Sequence, residues 1–210
     1  GEKAQNLENA IAAYTCALKV YTQQAFPMQW AMTQNNLGNA YNNRIEGEKA
    51  QNLENAIAAY TCALEVRQPH LLPLECLQTA RNLGSLAMEQ SNWQLAIKAY
   101  KRAMAAVEKS RSWATSDESR QQILNQSVRV YENAIQAYIN SGNIGKALET
   151  AERLRAKRLA ELFASQPADA TCNPDLAADL QQYEILNQRI NQLRVPVAVA
   201  TASKRGTRDG

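Results

Sequence analysis

Residues 1–20 read GEKAQNLENAIAAYTCALKV, and residues 47–66 read GEKAQNLENAIAAYTCALEV. The two segments match at 19 of 20 positions, since only Lys19 and Glu65 differ, and they lie 46 residues apart. A fainter copy, NWQLAIKAY from Asn92, aligns with NLENAIAAY of the second segment at an offset of 40 residues. Self-similarity at a period of about 20 to 50 residues is typical of repeat proteins, in which neighbouring units stack to bury a shared core.

Each unit is predicted to contain two helices. Residues 28–45 and residues 51–67 both place apolar or small side chains three or four positions apart, as one face of a helix requires. These positions are Trp30, Thr33, Leu37, Ala40, Tyr41 and Ile45 in the first helix, and Leu53, Ala56, Ile57, Tyr60, Ala63 and Leu64 in the second. The polar connection between them contains Gly47, which suits a helix end. The third unit lacks six residues between its helices, and we expect that difference to fall in the connection.

Small residues and a tyrosine recur at matching places in successive units. We expect Gly38 and Gly84 in the first helices to let a second helix approach closely, and Tyr60 and Tyr100 to fill the gap beside them. Alanines on the second helices, such as Ala56, provide further close contacts. This alternation of small and large side chains indicates a role in helix packing and not in catalysis.

Composition restricts the class of protein. The chain has 210 residues, of which 45% are apolar, 8 are Gly and 6 are Pro, which excludes collagen and Pro/Gly-rich disorder. It contains no apolar run of 18 residues, so we expect no membrane span. A net charge of +3 is too small to favour nucleic acid as a partner. Four cysteines and one histidine lack the paired spacing of a zinc site, so we expect no metal, no cofactor and reduced thiols in the cytoplasm.

The pattern LG-x-x-Y at 37–41, followed by A-x-x-x-Y-x-x-A at 56–63, resembles the tetratricopeptide repeat. The resemblance is strong over residues 28–109 and good over residues 1–20. The 46-residue copies are similar to the longer variant found in cyanobacterial and other bacterial arrays. The resemblance implies an all-α, right-handed α-solenoid of helix-turn-helix repeats with a C-terminal closing helix.

The predicted organisation has three parts: a repeat array over 1–164, a linker and amphipathic helix over 165–194, and a flexible tail over 195–210. The units of the array are a half repeat at 1–22, full repeats at 28–68 and 74–110, and a degenerate repeat at 117–164. Residues 146–164 resemble the segment that closes such arrays in CHAT-domain proteins, which are caspase-like proteases. The catalytic His and Cys of those proteins belong to a following α/β domain, so no catalytic residue is transferred to this chain.

The resemblance also implies a binding surface, because the first helices of this family line a concave groove. The positions expected to face that groove are Met32, Asn35, Asn39 and Asn42 in one first helix, and Gln78, Arg81, Ser85 and Met88 in the next. Asparagine amides can bond the backbone of an extended peptide, and an arginine can hold a carboxylate through two hydrogen bonds. The leading interpretation is a non-catalytic scaffold that binds a peptide or protein segment in this groove.

Two alternatives stay open at the level of sequence. The chain could be the regulatory or sensor segment of a larger CHAT-type protease, whose catalytic domain in the same polypeptide would be its partner. It could also self-associate, because Gly1 aligns with Gly47 and residues 1–22 therefore form a second helix without its first. In that case the exposed apolar residues would be Leu7, Ala10, Ile11, Tyr14 and Leu18. His70 lies in a connection beside Pro69, and no nucleophile pairs with it in the sequence pattern.

Overall fold

The computed structural model of the protein describes residues 1–113 and 117–164, and every regular element in these ranges is an α-helix. The helices are α1 (Glu2–Val20), α2 (Pro27–Asn42), α3 (Lys49–Val66), α4 (Pro73–Glu89), α5 (Trp93–Trp113), α6 (Asp117–Asn140) and α7 (Ile144–Ala164). The prediction of an all-α fold is confirmed over these residues. The amphipathic helix expected within 165–194 and the tail at 195–210 lie outside the described residues.

The chain divides into two compact units, residues 1–156 and residues 157–210. In the first unit neighbouring helices pack in chain order from α1 to α6, and α2 also contacts α4. In the second unit the described residues are 157–164, which form the C-terminal part of α7. None of the helices described is both long enough and apolar enough to cross a bilayer.

The first helix of each full unit, α2 or α4, begins with a proline. Pro27 and Pro73 occupy the first positions of α2 and α4, respectively. The missing N–H of proline is harmless there, because the first N–H groups of a helix have no partner within the helix, and its fixed φ suits a helical start. The two prolines therefore mark where each of these helices begins.

The end of α2 differs from the prediction. The sequence pattern extends this helix to residue 45 and places Ile45 on its buried stripe, but α2 ends at Asn42 and Ile45 is 59% exposed. The side-chain amide of Asn43 donates to the backbone carbonyl of Asn39 (2.8 Å), so it occupies an acceptor in the last turn. Asparagine competes in this way with helical hydrogen bonding, which is why it favours helix ends. The expectation for Ile45 is wrong.

The glycine and tyrosine pairs pack as predicted. A Cβ added to Gly38 would lie 2.7 Å from two ring carbons of Tyr60, and one added to Gly84 would lie 2.7 Å from Cζ of Tyr100. Both tyrosines are almost fully buried, and Ala56 has no exposed surface. Each tyrosine ring therefore occupies the space that a glycine leaves on the preceding helix.

The two connections within units differ in length by three residues, so the expectation that all six missing residues fall in the connection is only partly right. Residues 43–48 join α2 to α3, and Gly47 there has a φ of +77°, which an L side chain rarely adopts. Residues 90–92 join α4 to α5, and the side chain of Asn92 caps α5 by accepting from the backbone N–H of Leu95 (3.2 Å). The missing six residues are accommodated in the shorter connection and in the extra first turn of α3, so the packing positions stay in register.

Helix α1 packs on α2 through a small cluster in which Ile11 is buried with Leu37, Ala40 and Ala59. Ile11 is therefore covered by the chain itself, and Tyr14 and Leu18 pack against the same cluster. Leu7, Ala10, Tyr14 and Leu18 are half-buried, so the expectation that these five residues are exposed is wrong. The Arg44 guanidinium donates from Nε to Oε1 of Glu8 (2.8 Å) and from Nη2 to Oε2 (2.7 Å), which fixes α1 to the residues that follow α2.

Candidate functional site

The eight residues expected to line a groove lie on α2 and α4, but the structure does not expose them equally. Met32, Gln78 and Ser85 are exposed; Asn39, Asn42, Arg81 and Met88 are half-buried; and Asn35 is buried. Met88 also packs against the main apolar core. The solvent-exposed surface formed by α2 and α4, which we call the α2/α4 face, is therefore smaller than the sequence pattern indicates.

Asn35 lies inside the contact between α2 and α4, where it is 2% exposed. Its Oδ1 is 2.9 Å from the hydroxyl of Thr79, whose single hydrogen can serve either Asn35 or the backbone carbonyl of Glu75 (3.0 Å). The same hydroxyl accepts a hydrogen bond from Nη1 of Arg67 (2.7 Å). This position differs from the expected one: the Asn35 amide joins two first helices and does not reach an accessible surface.

Asn39 also has a structural role, although it keeps some exposed surface. Its Oδ1 accepts from the hydroxyl of Tyr60 (2.8 Å) and from Nδ2 of Asn82 (3.0 Å). These bonds join α2 to its own second helix and to the next first helix. The carbonyl end of the Asn39 side chain is thus held in place, and only its amino group is left to face a ligand.

A pocket of about 230 Å³ opens at the N-terminal ends of α2 and α4. Its lining consists of Met28, Gln29, Ala31 and Met32 from α2, Arg67 at the end of α3, and Leu72 and Glu75 at the start of α4. Met28 and Met32 are 48% and 49% exposed, so two flexible apolar side chains form its wall. Among the eight predicted residues, Met32 alone contributes to this lining.

The charged group of this pocket is desolvated. Arg67 is only 6% exposed, and burial lowers the pKa of its guanidinium from the ordinary value, while the nearby Glu75 carboxylate opposes that shift. A buried guanidinium keeps its charge and needs hydrogen-bond acceptors for its five N–H groups. The Thr79 hydroxyl supplies one of these acceptors. The pocket therefore combines apolar walls with one fixed cation and one carboxylate.

Sequence reasoning missed Arg67, although the repeat contains a signal for it. The duplicated segments end at residues 20 and 66, and the next position is Tyr21 in the first copy and Arg67 in the second. Tyr21 makes an edge-to-face contact with Phe26, with ring centroids 5.8 Å apart. The fold thus accepts an apolar ring at this position, so the arginine is a feature of the second copy and not a requirement of the repeat.

Another cavity, of about 240 Å³, lies among α5, α6 and α7. Its charged groups are Lys101, Lys146, Glu149 and Arg153. Lys146 is paired with Glu149 at 2.7 Å, and Nη2 of Arg153 lies 3.7 Å from Oε1 of Glu108. Both pairs are substantially exposed, so water weakens them, and such pairs are common on helical surfaces. This cavity has no buried charge comparable to Arg67.

The cysteines and the histidine do not assemble into a reactive group within the described ranges. Cys76 is fully buried, and burial raises the pKa of its thiol. Burial also raises the pKa of Cys62, whereas Cys16 is exposed. His70 is exposed in the connection between α3 and α4. Over the residues that the structure describes, no three metal-ligating side chains come together.

No family model matches the chain, and no curated protein matches it. The α2/α4 face and the pocket at its N-terminal end are therefore interpreted from their geometry.

Proposed function

We propose that the chain is a right-handed solenoid of tetratricopeptide-like repeats and that it acts as a non-catalytic scaffold for a peptide or protein segment. The duplicated helix pairs, their packing in chain order and the two glycine–tyrosine contacts support this fold. In such an array the first helices form one continuous surface. The α2/α4 face is the part of that surface that we assign to the partner.

The pocket at the N-terminal ends of α2 and α4 is the observation that carries this proposal. Its volume of about 230 Å³ is close to the size of one large side chain, and its walls contain the exposed Met28 and Met32. Methionines adapt their shape to different apolar groups, so they suit a surface that holds side chains of a peptide. Burial of such a side chain would contribute about 1.5–3 kcal/mol before the costs of association.

Polar groups on the same face can orient the bound segment. Gln78 and Ser85 are exposed, and Asn42 and Arg81 are half-buried, so they provide donors and acceptors for a peptide backbone or an acidic side chain. The bonds that hold Asn39 and Arg67 form within the free protein. A face that is ordered before binding loses less side-chain entropy when its partner arrives.

The proposed partner is a protein segment, and the function needs no cofactor. We place the protein in the cytoplasm, where the free thiols of Cys16, Cys62 and Cys76 would stay reduced.

The test begins with a library of random peptides selected for binding to the wild-type chain. The affinity of the enriched peptides is then measured for two variants of the face, Met32→Ala and Arg81→Glu. Matched controls are Leu148→Ala, which truncates an exposed apolar side chain on α7, and Lys98→Glu, which reverses an exposed charge on α5.

We expect both variants of the face to weaken binding about tenfold, which corresponds to about 1.4 kcal/mol, while the controls keep the wild-type affinity. Melting temperatures should stay near the wild-type value, because Met32 is half exposed and Arg81 is only partly buried. Unchanged affinity in both variants of the face would place the binding site elsewhere. Loss of affinity in the controls alone would place it on the second helices.

A further inference from the structure

The pocket at the N-terminal ends of α2 and α4 contains a buried guanidinium with few hydrogen-bond partners. Arg67 lines this pocket although it is only 6% exposed. Among the described residues its guanidinium has one acceptor, the hydroxyl of Thr79, which lies 2.7 Å from Nη1. A guanidinium carries five N–H donors, and a desolvated charge is costly unless acceptors surround it. Most of the hydrogen-bonding capacity of Arg67 is therefore left for a group that enters the pocket.

The same pocket contains a carboxylate that is not paired with this arginine. Glu75 lies in the first turn of α4, is half-buried and lines the cavity. Its charge raises the pKa of Arg67, so the two groups are near each other. No ion pair or side-chain hydrogen bond joins the Glu75 carboxylate to any other residue that the structure describes. The wall of the pocket thus presents one group that can only donate and one group that can only accept.

The corresponding positions of the preceding unit carry neither charge. Tyr21 stands 46 residues before Arg67, and Gln29 stands 46 residues before Glu75. Helices α2 and α4 begin alike, each with a proline, in spite of this difference. The packing of the repeat therefore does not require the two charges, and their role is to be sought in the pocket.

These two groups disfavour a charged ligand side chain. A carboxylate would bond Arg67 but lie close to Glu75, and an ammonium would bond Glu75 but lie close to Arg67, so each would meet a like charge. A primary carboxamide carries an acceptor and a donor on one carbon. Its oxygen can accept from Arg67 while its nitrogen donates to Glu75. Met28, Met32 and Leu72 provide apolar contacts for the methylene groups of such a side chain.

We propose that this pocket receives the side-chain carboxamide of a glutamine in the partner segment. The carbonyl oxygen accepts from the Arg67 guanidinium, the amino group donates to the Glu75 carboxylate, and the methylenes pack against the methionines. With a volume of about 230 Å³, the pocket has room for this long side chain. The inference rests on the proposed function, because it names the group by which the bound segment is recognised.

The probe is N-acetylglutamine methylamide, a blocked amino acid that carries the carboxamide and no net charge. The matching glutamate analogue offers a carboxylate, and the matching methionine analogue offers an apolar side chain of similar length. Binding is followed by NMR of the whole chain with ¹³C-labelled methionine methyl groups. The chain has four methionines. Met28 and Met32 line the pocket, whereas Met88 packs on the main core and Met104 lines the cavity among α5, α6 and α7.

We expect the glutamine analogue to shift the methyl resonances of Met28 and Met32 and to leave those of Met88 and Met104 unchanged. Its affinity should exceed that of the other two analogues by about tenfold, because hydrogen bonds to charged groups are stronger than those between neutral groups. Tighter binding of the glutamate analogue would overturn the proposal in favour of a carboxylate site. Equal binding of the methionine analogue would reduce the pocket to apolar contacts, and no shift with any analogue would refute the site.

Glu75→Gln gives a change that partial unfolding could not imitate. The variant gives α4 the residue that α2 has at the corresponding position, and it leaves the charge of Arg67 unopposed. We expect the preference to reverse, so that the glutamate analogue binds about tenfold more tightly than it binds the wild-type chain. The control is Glu89→Gln, which removes an exposed charge at the other end of α4 and should keep the preference for glutamine. An unchanged preference in Glu75→Gln would overturn the proposal.

The peptides selected on the wild-type chain separate this inference from the proposed function. We expect them to contain a glutamine whose replacement by glutamate weakens binding about tenfold for the wild-type chain but not for Glu75→Gln. Selected peptides that respond to Met32→Ala and Arg81→Glu but contain no such glutamine would keep the α2/α4 face as the binding site and overturn the carboxamide pocket alone. If no peptide were selected, the proposed function would fail, and the assignment of the carboxamide to a protein segment would fail with it.

Discussion

Gly38→Ala tests the close contact between α2 and the Tyr60 ring of α3. The added Cβ would lie 2.7 Å from Cδ1 and Cε1 of Tyr60, which is closer than carbon atoms approach without a shift of the ring or of the helix. The ring cannot move freely, because its hydroxyl donates to Asn39 and its surface is almost fully buried. The strain therefore has to be distributed between α2 and α3.

Two opposing contributions set the size of the effect. Overpacking of a filled core costs about 1–3 kcal/mol, whereas alanine is favoured over glycine inside a helix by about 1 kcal/mol. The net loss for Gly38→Ala is thus about 1 kcal/mol, and at this chain length that lowers the melting temperature by about 2–4 °C. Gly84→Ala should behave alike, since its Cβ would meet the Tyr100 ring at the same 2.7 Å.

Gly145→Ala is the matched control, because it also lies in a helix but has nothing within 4 Å of an added Cβ. Urea titration followed by circular dichroism gives the free energy of unfolding of each variant. We expect Gly145→Ala to match or exceed the wild-type stability and Gly38→Ala to fall below it. If Gly38→Ala were as stable as Gly145→Ala, close packing of Tyr60 against α2 would not limit the approach of the helices.

Three further predictions concern single side chains and their contacts. The Arg44 guanidinium holds the pKa of Glu8 below its ordinary value, so this pair stabilises the fold at neutral pH and stops doing so as pH falls through the lowered pKa. The melting temperature of Arg44→Gln should therefore differ most from wild type near pH 7, and the difference should shrink as pH falls through the lowered pKa of Glu8. Iodoacetamide should modify the exposed Cys16 first and the buried Cys76, whose pKa is raised by burial, only after unfolding, as read by mass spectrometry of the peptides. Asn35→Ala should lower the free energy of unfolding by about 1 kcal/mol and leave the affinity of the selected peptides unchanged, because the side chain is buried between helices.

The helix pairs could be predicted from the sequence because their signals are local. Apolar residues three and four apart, the prolines at 27 and 73, and the glycine at 47 act within one or two turns of helix. The duplicated segment strengthens the prediction of helix pairs, because the same pattern of residues occurs at two places in the chain. The close approach at Gly38 was also predictable, because a glycine inside a helix usually serves packing.

The accessible face could be predicted only in part, because burial depends on residues far along the chain. Asn35 and Asn39 have the spacing of groove residues, but their hydrogen-bond partners Thr79 and Asn82 lie 44 and 43 residues away. Helical periodicity gives the direction of a side chain relative to its own helix. It does not give the angle at which the next first helix packs, and that angle decides whether an asparagine faces solvent or the neighbouring helix.

Two comparisons between the copies separate what the fold requires from what varies. One compares Tyr21 with Arg67, and the other compares α1 with α3. In the first pair the fold is kept while the side chain changes, so Arg67 provides a charge that the repeat itself does not need. In the second pair the side chains are kept while the surroundings change, so Tyr14 is half-buried whereas Tyr60 is almost fully buried. The change from Tyr21 to Arg67 thus adds a charged group to the pocket at the N-terminal ends of α2 and α4, while the duplicated helices keep their packing residues. Both differences follow from comparing one segment of the chain with another.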